Sequence, residues 1–358
     1  MNSSRYRIAV PSRSEPLIAA DVGGTHARVA SIVPVSDGRG AAFSIGDYCK
    51  YACADYPSLG AIIEAFRDQY APMPAASVAL AIAGYVVDDA VINVNLPWSV
   101  SISGLRDQLG LRELAVVNDF KAVAHAVGHI DDADSLLLGG PATRQQGPVL
   151  VVGPGTGLGG AVHIPGASHP IILATEVGQS TLAATTDIEF EVLAELRKRS
   201  PRVLIEHVLS GTGLVNLDMT IRRLRGAPVR EMTAAQISAA AREHSDALAV
   251  ETVDLFCGWF GSVLGDLALL YGAQGGIYLA GGVLPQMKDL LVRSRFVERF
   301  LDKGAMREAL ARTSIRLVDH AQLGIIGAAS WYFDREPEHQ RAASAQARAR
   351  SARQPSGT

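Results

Sequence analysis

The sequence predicts an α/β protein built from a duplicated unit with a cleft between the two copies. Two observations carry this reading. Apolar, β-branched runs Leu17–Ala20 and Ala27–Val33 flank the turn Asp21-Val22-Gly23-Gly24-Thr25. Val149–Val152 and Ala161–Ile164 flank the glycine-rich Gly153-Pro154-Gly155-Thr156-Gly157-Leu158-Gly159-Gly160 in the same way. Each reads as strand, tight turn, strand. Alternating strand and helix patterns follow both hairpins, and no short-period repeat marks a solenoid.

After the first hairpin, Leu59, Ile62, Ile63 and Phe66 give Pro57–Tyr70 the spacing of an amphipathic helix. Ser77–Ala83 and Val91–Val94 read as strands, and Ile102–Leu109 as a short helix capped by Ser101 or Ser103. Leu114–Val117 is a buried strand that delivers Asn118 and Asp119 at its carboxyl end, before a helix over Phe120–Val127. Such strand-to-helix junctions are where α/β folds bind ligands. After the second hairpin come helices over Ile188–Arg199, Thr233–Arg242 (opened by Thr233) and Ser245–Tyr271 (opened by Ser245). Gly276–Ala280 is a strand, then Gly281-Gly282 and a helix beyond Pro285, a strand at Ile315–Val318 and a closing helix over Gly324–Phe333.

Composition bounds the function. The 358 residues are 48% hydrophobic and can bury a full core. A net charge of −3 and a pI near 6.3 give no reason to expect nucleic acid as a partner. Cys49, Cys53 and Cys257 read as reduced cytosolic thiols; no second Cys or His pair joins the first two as metal ligands. Residues 1–16 are polar and basic, are expected to be flexible, and lack the apolar stretch of a signal peptide. The hydrophobic segment Leu255–Ala273 is interrupted by Asp266 and several glycines, so it reads as a buried helix and not a membrane span. From Arg335 onward the chain is Ala, Arg, Gln and Ser, which predicts a disordered basic tail over 335–358.

The chemistry-bearing residues form an ordered set: an acidic glycine turn, an isolated Asn-Asp, then a second glycine turn. Bare glycine turns bring backbone N–H groups close to phosphate oxygens, and an acid beside one can hold Mg²⁺ directly or through water. The order points to phosphoryl transfer onto a hydroxyl, with Asp119 as the favoured general base and Asn118 orienting the substrate. Asn-Asp as a plain helix cap is the competing reading. Gly155, Gly157 and Gly160 also fit G-x-G-x-x-G, but a strand pattern follows where a dinucleotide fingerprint opens a helix. Glu176 and Glu206 stand at element ends, where a carboxylate can hold two sugar hydroxyls or simply face water. His125 and His129 lack the glutamate of a zincin and read as structural; Asp266 reads as a satisfied core acid or an interface residue.

The segments Leu17–Ala30, Val117–Val127, Val152–Gly160, Glu206–Leu214 and Ile277–Pro285 together resemble the bacterial glucokinases of the actin-like sugar-kinase superfamily, from about residue 17 to about 333. The resemblance implies a two-domain actin-like (ribonuclease H-like) fold with a central cleft. It implies a small domain of 17–129 plus about 320–334, a large domain of 130–319, a homodimer and a cytoplasmic location. ATP, Mg²⁺ and glucose would be the bound partners, with no nucleic acid and no membrane. Asp21, Val22, Gly23, Gly24, Thr25 and His26 would form the first phosphate loop, with Asp21 near Mg²⁺ through water. Gly155, Thr156 and Gly157 would form the second, and Gly281 and Gly282 would flank the adenine and ribose. Asn118, Asp119, Glu176, Gln179 and Glu206 fall where the family holds the sugar, and Asp119 where it places the base.

Three positions depart from the family pattern. His26 stands where Asn is usual, Val177 where Gly is usual, and Gln179 where a histidine contacts the sugar. The expected activity is ATP-dependent phosphorylation of glucose. The rivals are a kinase of another hexose or amino sugar, and a sugar-binding regulator with weak or no catalysis. About sixteen residues precede the first strand, too few for a helix-turn-helix, so such a regulator would act through protein contacts.

Overall fold

A computed structural model describes residues 5–7, 17–36, 41–70, 76–92, 96–130, 135–166, 170–318 and 322–335. The chain divides into two compact units, Met1–Ala122 with Gly324–Thr358, and Val123–Leu323. The crossings fall inside helices, against 129 and about 320 read from the sequence.

In the first unit the chain forms β1 (Arg5–Arg7), β2 (Leu17–Val22), β3 (His26–Ser36), β4 (Ala41–Ala52), α1 (Leu59–Tyr70), β5 (Ser77–Ile82), β6 (Tyr85–Val87), β7 (Ala90–Ile92), β8 (Val100–Ser101), α2 (Ile102–Gln108) and β9 (Glu113–Asn118). Helix α3 (Asp119–Val127) leads out of it. The main sheet has the order β1-β4-β3-β2-β5-β9, antiparallel through β2 and parallel from β2 to β9. The polar leading segment was expected to be flexible, yet Arg5–Arg7 pairs with β4 and extends the sheet. Helix α1 buries Leu59, Ile62, Ile63 and Phe66 as its spacing requires. Ser101, not Ser103, caps α2 by accepting from the Gly104 N–H at 3.0 Å.

In the second unit come β10 (Ser135–Gly139), β11 (Val149–Pro154), β12 (Leu158–Ile164), β13 (Ile171–Thr175), α4 (Asp187–Arg197), α5 (Gly211–Leu224), α6 (Ala234–Arg242), α7 (Ala247–Tyr271), β14 (Gly276–Leu279), α8 (Lys288–Arg293), α9 (Phe296–Phe300), α10 (Arg307–Leu310) and β15 (Ile315–Val318). The chain then returns to the first unit in α11 (Leu323–Asp334). The second sheet has the order β10-β15-β14-β11-β12-β13. Its hairpin β11–β12, antiparallel neighbour β13 and parallel β14 and β15 repeat the arrangement of β2–β3, β4, β5 and β9. The duplication read from the two glycine hairpins is therefore present in five strands of each sheet, while the sixth differs, β1 lying beside β4 and β10 beside β15.

Helix α7 is long and apolar enough to cross a membrane, but 78% of that stretch is buried inside the protein, where it forms the core of the second unit. Gly261 lets α9 approach it: a Cβ there would stand 2.0 Å from the Phe296 carbonyl oxygen. Two sequence readings are corrected in this region. Asp246, not Ser245, caps α7, because its Oδ1 accepts from the Leu248 and Ala249 N–H groups at 3.0 and 3.4 Å. Asp266 is satisfied but not in the core; it is half exposed and sits 2.7 Å from Lys303 Nζ. Beyond Arg335, the expected tail lies outside the described residues. Arg335 itself bonds the Glu113 carboxylate and covers the Trp331 and Tyr332 rings at 5.0 and 5.2 Å.

A buried ionic knot ties α5 to the start of α7. Arg222, 2% exposed, donates to Asp218 Oδ2 and Asp246 Oδ2, both at 2.7 Å. The Arg222 hydrogen bond holds the Asp246 carboxyl below the usual carboxylate range, against the opposing effect of burial. Removing one partner of a buried pair leaves an uncompensated charge and costs about 3–5 kcal/mol. Arg222→Met is therefore expected to lower the free energy of unfolding in urea by about that amount. A depressed native pKa contributes stability above the unfolded value near 3.9 that is lost as pH falls through the folded value. The variant should accordingly show a shallower acid dependence below about pH 4 than the parent chain.

Candidate functional site

In the first unit, parallel strands β2, β5 and β9 place Val22, Ile82 and Asn118 in one row. Adjacent strands lie about 4.8 Å apart. The Asp21–His26 turn and the Asn118–Asp119 pair thus emerge at the same, carboxyl end of the parallel strands, roughly 10 Å apart. The turn is closed by the Gly23 N–H donating to the His26 carbonyl at 3.0 Å. Cys53 ties it back: its N–H donates to the Thr25 carbonyl at 2.9 Å and its Sγ to the Gly23 carbonyl at 3.5 Å.

Asp21 pairs in register with Arg28, whose Nη1 lies 3.2 Å from Oδ2. Burial raises the Asp21 carboxyl pKa, and the Arg28 guanidinium pulls against it. Gly324, at the start of α11, packs on the same side chain; a Cβ there would stand 2.4 Å from Asp21 Cγ. The His26 imidazole is pushed below its ordinary value by desolvation first, then by Lys50 and Arg28.

Asn118 and Asp119 form the N-terminus of α3. Asn118 Oδ1 accepts from the Lys121 N–H at 3.1 Å, and Asp119 Oδ1 from the Phe120 N–H at 2.8 Å. The capping reading thus holds for Asn118, whose amide N–H₂ is left out of the cap, while at Asp119, the first residue of α3, Oδ1 bonds the N–H that follows it. A carboxylate at a helix N-terminus is also favoured by the helix dipole.

In the second unit the glycine turn is a hairpin tip, with the Gly155 N–H donating to the Gly157 carbonyl at 2.8 Å. It lies against the N-terminus of α5. The Gly211 N–H donates to the Gly155 carbonyl at 2.8 Å, and Thr212 Oγ1 to the Thr156 carbonyl at 3.4 Å. Helix N-termini offer N–H groups and positive potential to anions. Beside the tip, the Val283 N–H donates to the Pro154 carbonyl at 3.3 Å, which brings Gly281 and Gly282 alongside. A Cβ at Gly155 or Gly282 would meet no atom within 4 Å, so open space adjoins both.

Glu206 stands in a single 3-10 turn, Ile205–His207. Gln179 Nε2 donates to its Oε1 at 2.6 Å and the Leu158 N–H to its Oε2 at 3.3 Å. A Cβ at Gly157 would lie 2.6 Å from that Oε2. Glu176 is exposed at the end of β13, and its carbonyl accepts from the Gln179 N–H at 3.0 Å. Val177 points into the core, where its Cγ2 would stand 2.9 Å from a Cβ at Gly160.

The predicted site residues therefore form two groups: Asp21 to His26 with Asn118 and Asp119 in the first unit, and Gly155 to Gly157, Glu176, Gln179, Glu206, Gly281 and Gly282 in the second. Sequence reasoning missed Arg28, Gly324, Gly211 and Thr212. Arg28 is legible as the charge placed symmetrically to Asp21 about the turn. The helix start is legible as Ser210 followed by Leu214, Leu217 and Ile221. Gly324 carries no local signal.

Residues 18–335 match the family model described as glucokinase. A glucokinase-like protein of Xylella fastidiosa is 44% identical over 334 residues, covering 92% of this chain and 99% of that protein. A glucokinase of Nitrobacter hamburgensis is 38% identical over 320 residues, covering 87% of this chain and 96% of that protein. Among solved structures, a glucokinase from an Antarctic psychrotroph superposes with a TM-score of 0.78 at 34% identity, covering 89% of this chain and 99% of that one.

The Gly324 contact is directly testable. Gly324→Ala should force the Asp21 side chain off Arg28 and lower stability by about 1–3 kcal/mol, the usual cost of overpacking. A crystal structure of the variant with the Asp21–Arg28 pair intact would disprove the constraint.

Proposed function

The chain belongs to the glucokinase family, sugar-phosphorylating enzymes of the actin-like ATPase fold, and from that premise we propose that it transfers the γ-phosphoryl group of ATP, with Mg²⁺, to the 6-hydroxyl of D-glucose. The observation that carries this reading is the Asn118–Asp119 pair at the end of β9, at the same carboxyl end of the parallel strands as the Asp21 turn.

A sugar hydroxyl is too weak an acid to ionise at neutral pH. Asp119 takes its proton as the new P–O bond forms. One Asp119 oxygen accepts from the Phe120 N–H, which restrains the carboxylate. Asn118 orients the sugar through its amide N–H₂. Glu176 and Glu206 hold the other hydroxyls through charged hydrogen bonds, with the Gln179 amide bonded to Glu206 beside them. Asp21 to Thr25, with His26, and Gly155-Thr156-Gly157 receive phosphate oxygens. The α5 N-terminus behind the second loop adds positive potential. Gly281 and Gly282 flank the nucleoside, in keeping with the open space beside Gly282.

The residues fit Mg²⁺ held through water and substrate phosphates, the usual mode for this ion. Asp21 is a desolvated carboxylate with Oδ2 paired to Arg28, and no cluster of three or more ligating side chains occurs among the described residues. When bound, Mg²⁺ neutralises charge on the transferring group. A homodimer and a cytoplasmic location follow from the family and belong to the same proposal.

A second reading, a kinase of another hexose or an amino sugar, is favoured by one observation. The neutral amide of Gln179 contacts Glu206 where the family carries a histidine. A coupled assay of ADP release with ATP, Mg²⁺ and a panel of hexoses separates the two; turnover highest with glucose is the expected result. Asp119→Ala should lower kcat by roughly 10²–10⁴-fold while ATP binding, followed by calorimetry, is unchanged. Retention of more than a few per cent of the activity would remove Asp119 as the base.

A further inference from the structure

The Glu206 carboxylate is held from two sides. The Gln179 amide donates to Oε1 at 2.6 Å, from the turn that follows β13. On the other side, Oε2 accepts from the Leu158 N–H at 3.3 Å. Oε2 is also lodged between the two glycine backbones: a Cβ would stand 2.6 Å away at Gly157 and 3.0 Å away at Gly178. The Gln179 backbone is pinned in turn. Arg202 Nη2 donates to its carbonyl at 3.0 Å, Arg202 Nε donates to Thr181 Oγ1 at 3.2 Å, and Thr181 bridges Leu204, two residues before Glu206. The segments carrying Gln179 and Glu206 thus form one closed loop of interactions.

We propose that Gln179 is a positioning residue that sets sugar affinity by clamping the Glu206 carboxylate in a fixed plane. The inference rests on the reading of Glu206 as a sugar-binding acid. A carboxylate accepts two hydroxyls of a sugar well only when both oxygens are aimed at once. An unclamped glutamate loses rotamer freedom on binding, and that loss is subtracted from affinity. The clamp is an uncharged amide, so it adds a donor without a second charge beside Glu206.

The test is steady-state kinetics of Gln179→Met, Gln179→Glu and Gln179→His, with glucose and ATP varied separately. Gln179→Met keeps the length and removes the donor; it should raise KM for glucose about tenfold, the scale of one hydrogen bond to a charged group. Its kcat, KM for ATP and thermal midpoint should stay near those of the parent. Gln179→Glu sets a second carboxylate against Glu206 and should raise KM for glucose further. Gln179→His, which restores an N–H donor, should recover most of the loss. An unchanged KM for glucose in Gln179→Met overturns the clamp. So does a parallel rise in both KM values with a lower thermal midpoint, which marks a structural role only. If the parent chain turns over no hexose, the proposed function fails by itself. Calorimetric glucose binding to the parent and to Gln179→Met then decides the clamp, with equal affinities overturning it.

Discussion

In each unit the candidate residues depend on how closely backbones meet at the carboxyl ends of the parallel strands. Gly153 lies against the Ala280 carbonyl, where a Cβ would stand 2.0 Å from the oxygen. That approach seats the hairpin tip beside Gly281 and Gly282. In the first unit, Gly327 of α11 lies so close to Ala122 that a Cβ would overlap its carbonyl, at 1.9 Å. With Gly324 on Asp21, this lays the closing helix against both the end of β2 and the start of α3. Any side chain at these positions would separate the elements by more than a hydrogen bond can span, so the loops would lose their shape before they lost their residues.

On that frame the two units use one device twice. Each places a glycine hairpin at the sheet end and a helix N-terminus among the candidate residues: α3 begins at Asp119, and α5 begins behind Gly155 and Thr156. Helix N-termini favour negative charge, which suits a carboxylate in the first unit and phosphate oxygens in the second. The acids are further held by near neighbours, Asp21 by Arg28 and Glu206 by Gln179 and the Leu158 N–H. Charge is thus organised by short local bonds and not by a large field, in keeping with a net charge of only −3.

Much of this was legible in the sequence because its signals are local. Glycine between β-branched runs marks the hairpins, apolar spacing marks α1, and Asn-Asp after a buried run marks the junction of β9 and α3. Other elements escaped because their cause lies elsewhere in the chain. Strand β4 mixes polar and apolar residues and is a strand because β3 pairs along it. Helix α5 was missed although its signal is local, Ser210 capping it through the Gly213 N–H at 2.8 Å, because it opens with the poor helix formers Gly211-Thr212-Gly213. Asp246 won the cap of α7 from its neighbour Ser245 because Arg222, from another helix, holds its carboxylate in place.

The sequence by itself determined the duplicated hairpins with their two glycine turns and most of the strands and helices around them, and it singled out Asp119 as the candidate base. Each of these follows from residue type and spacing along the chain. Only the tertiary structure decided that Glu206 leans on the tip of the second hairpin, that Gln179 holds it there, that Arg28 covers Asp21 and that Gly324 limits where Asp21 can point. These are contacts between segments dozens to hundreds of residues apart, or across a strand pair. Backbone packing sets them at the scale of a few ångströms, and no periodicity in a linear sequence encodes that distance.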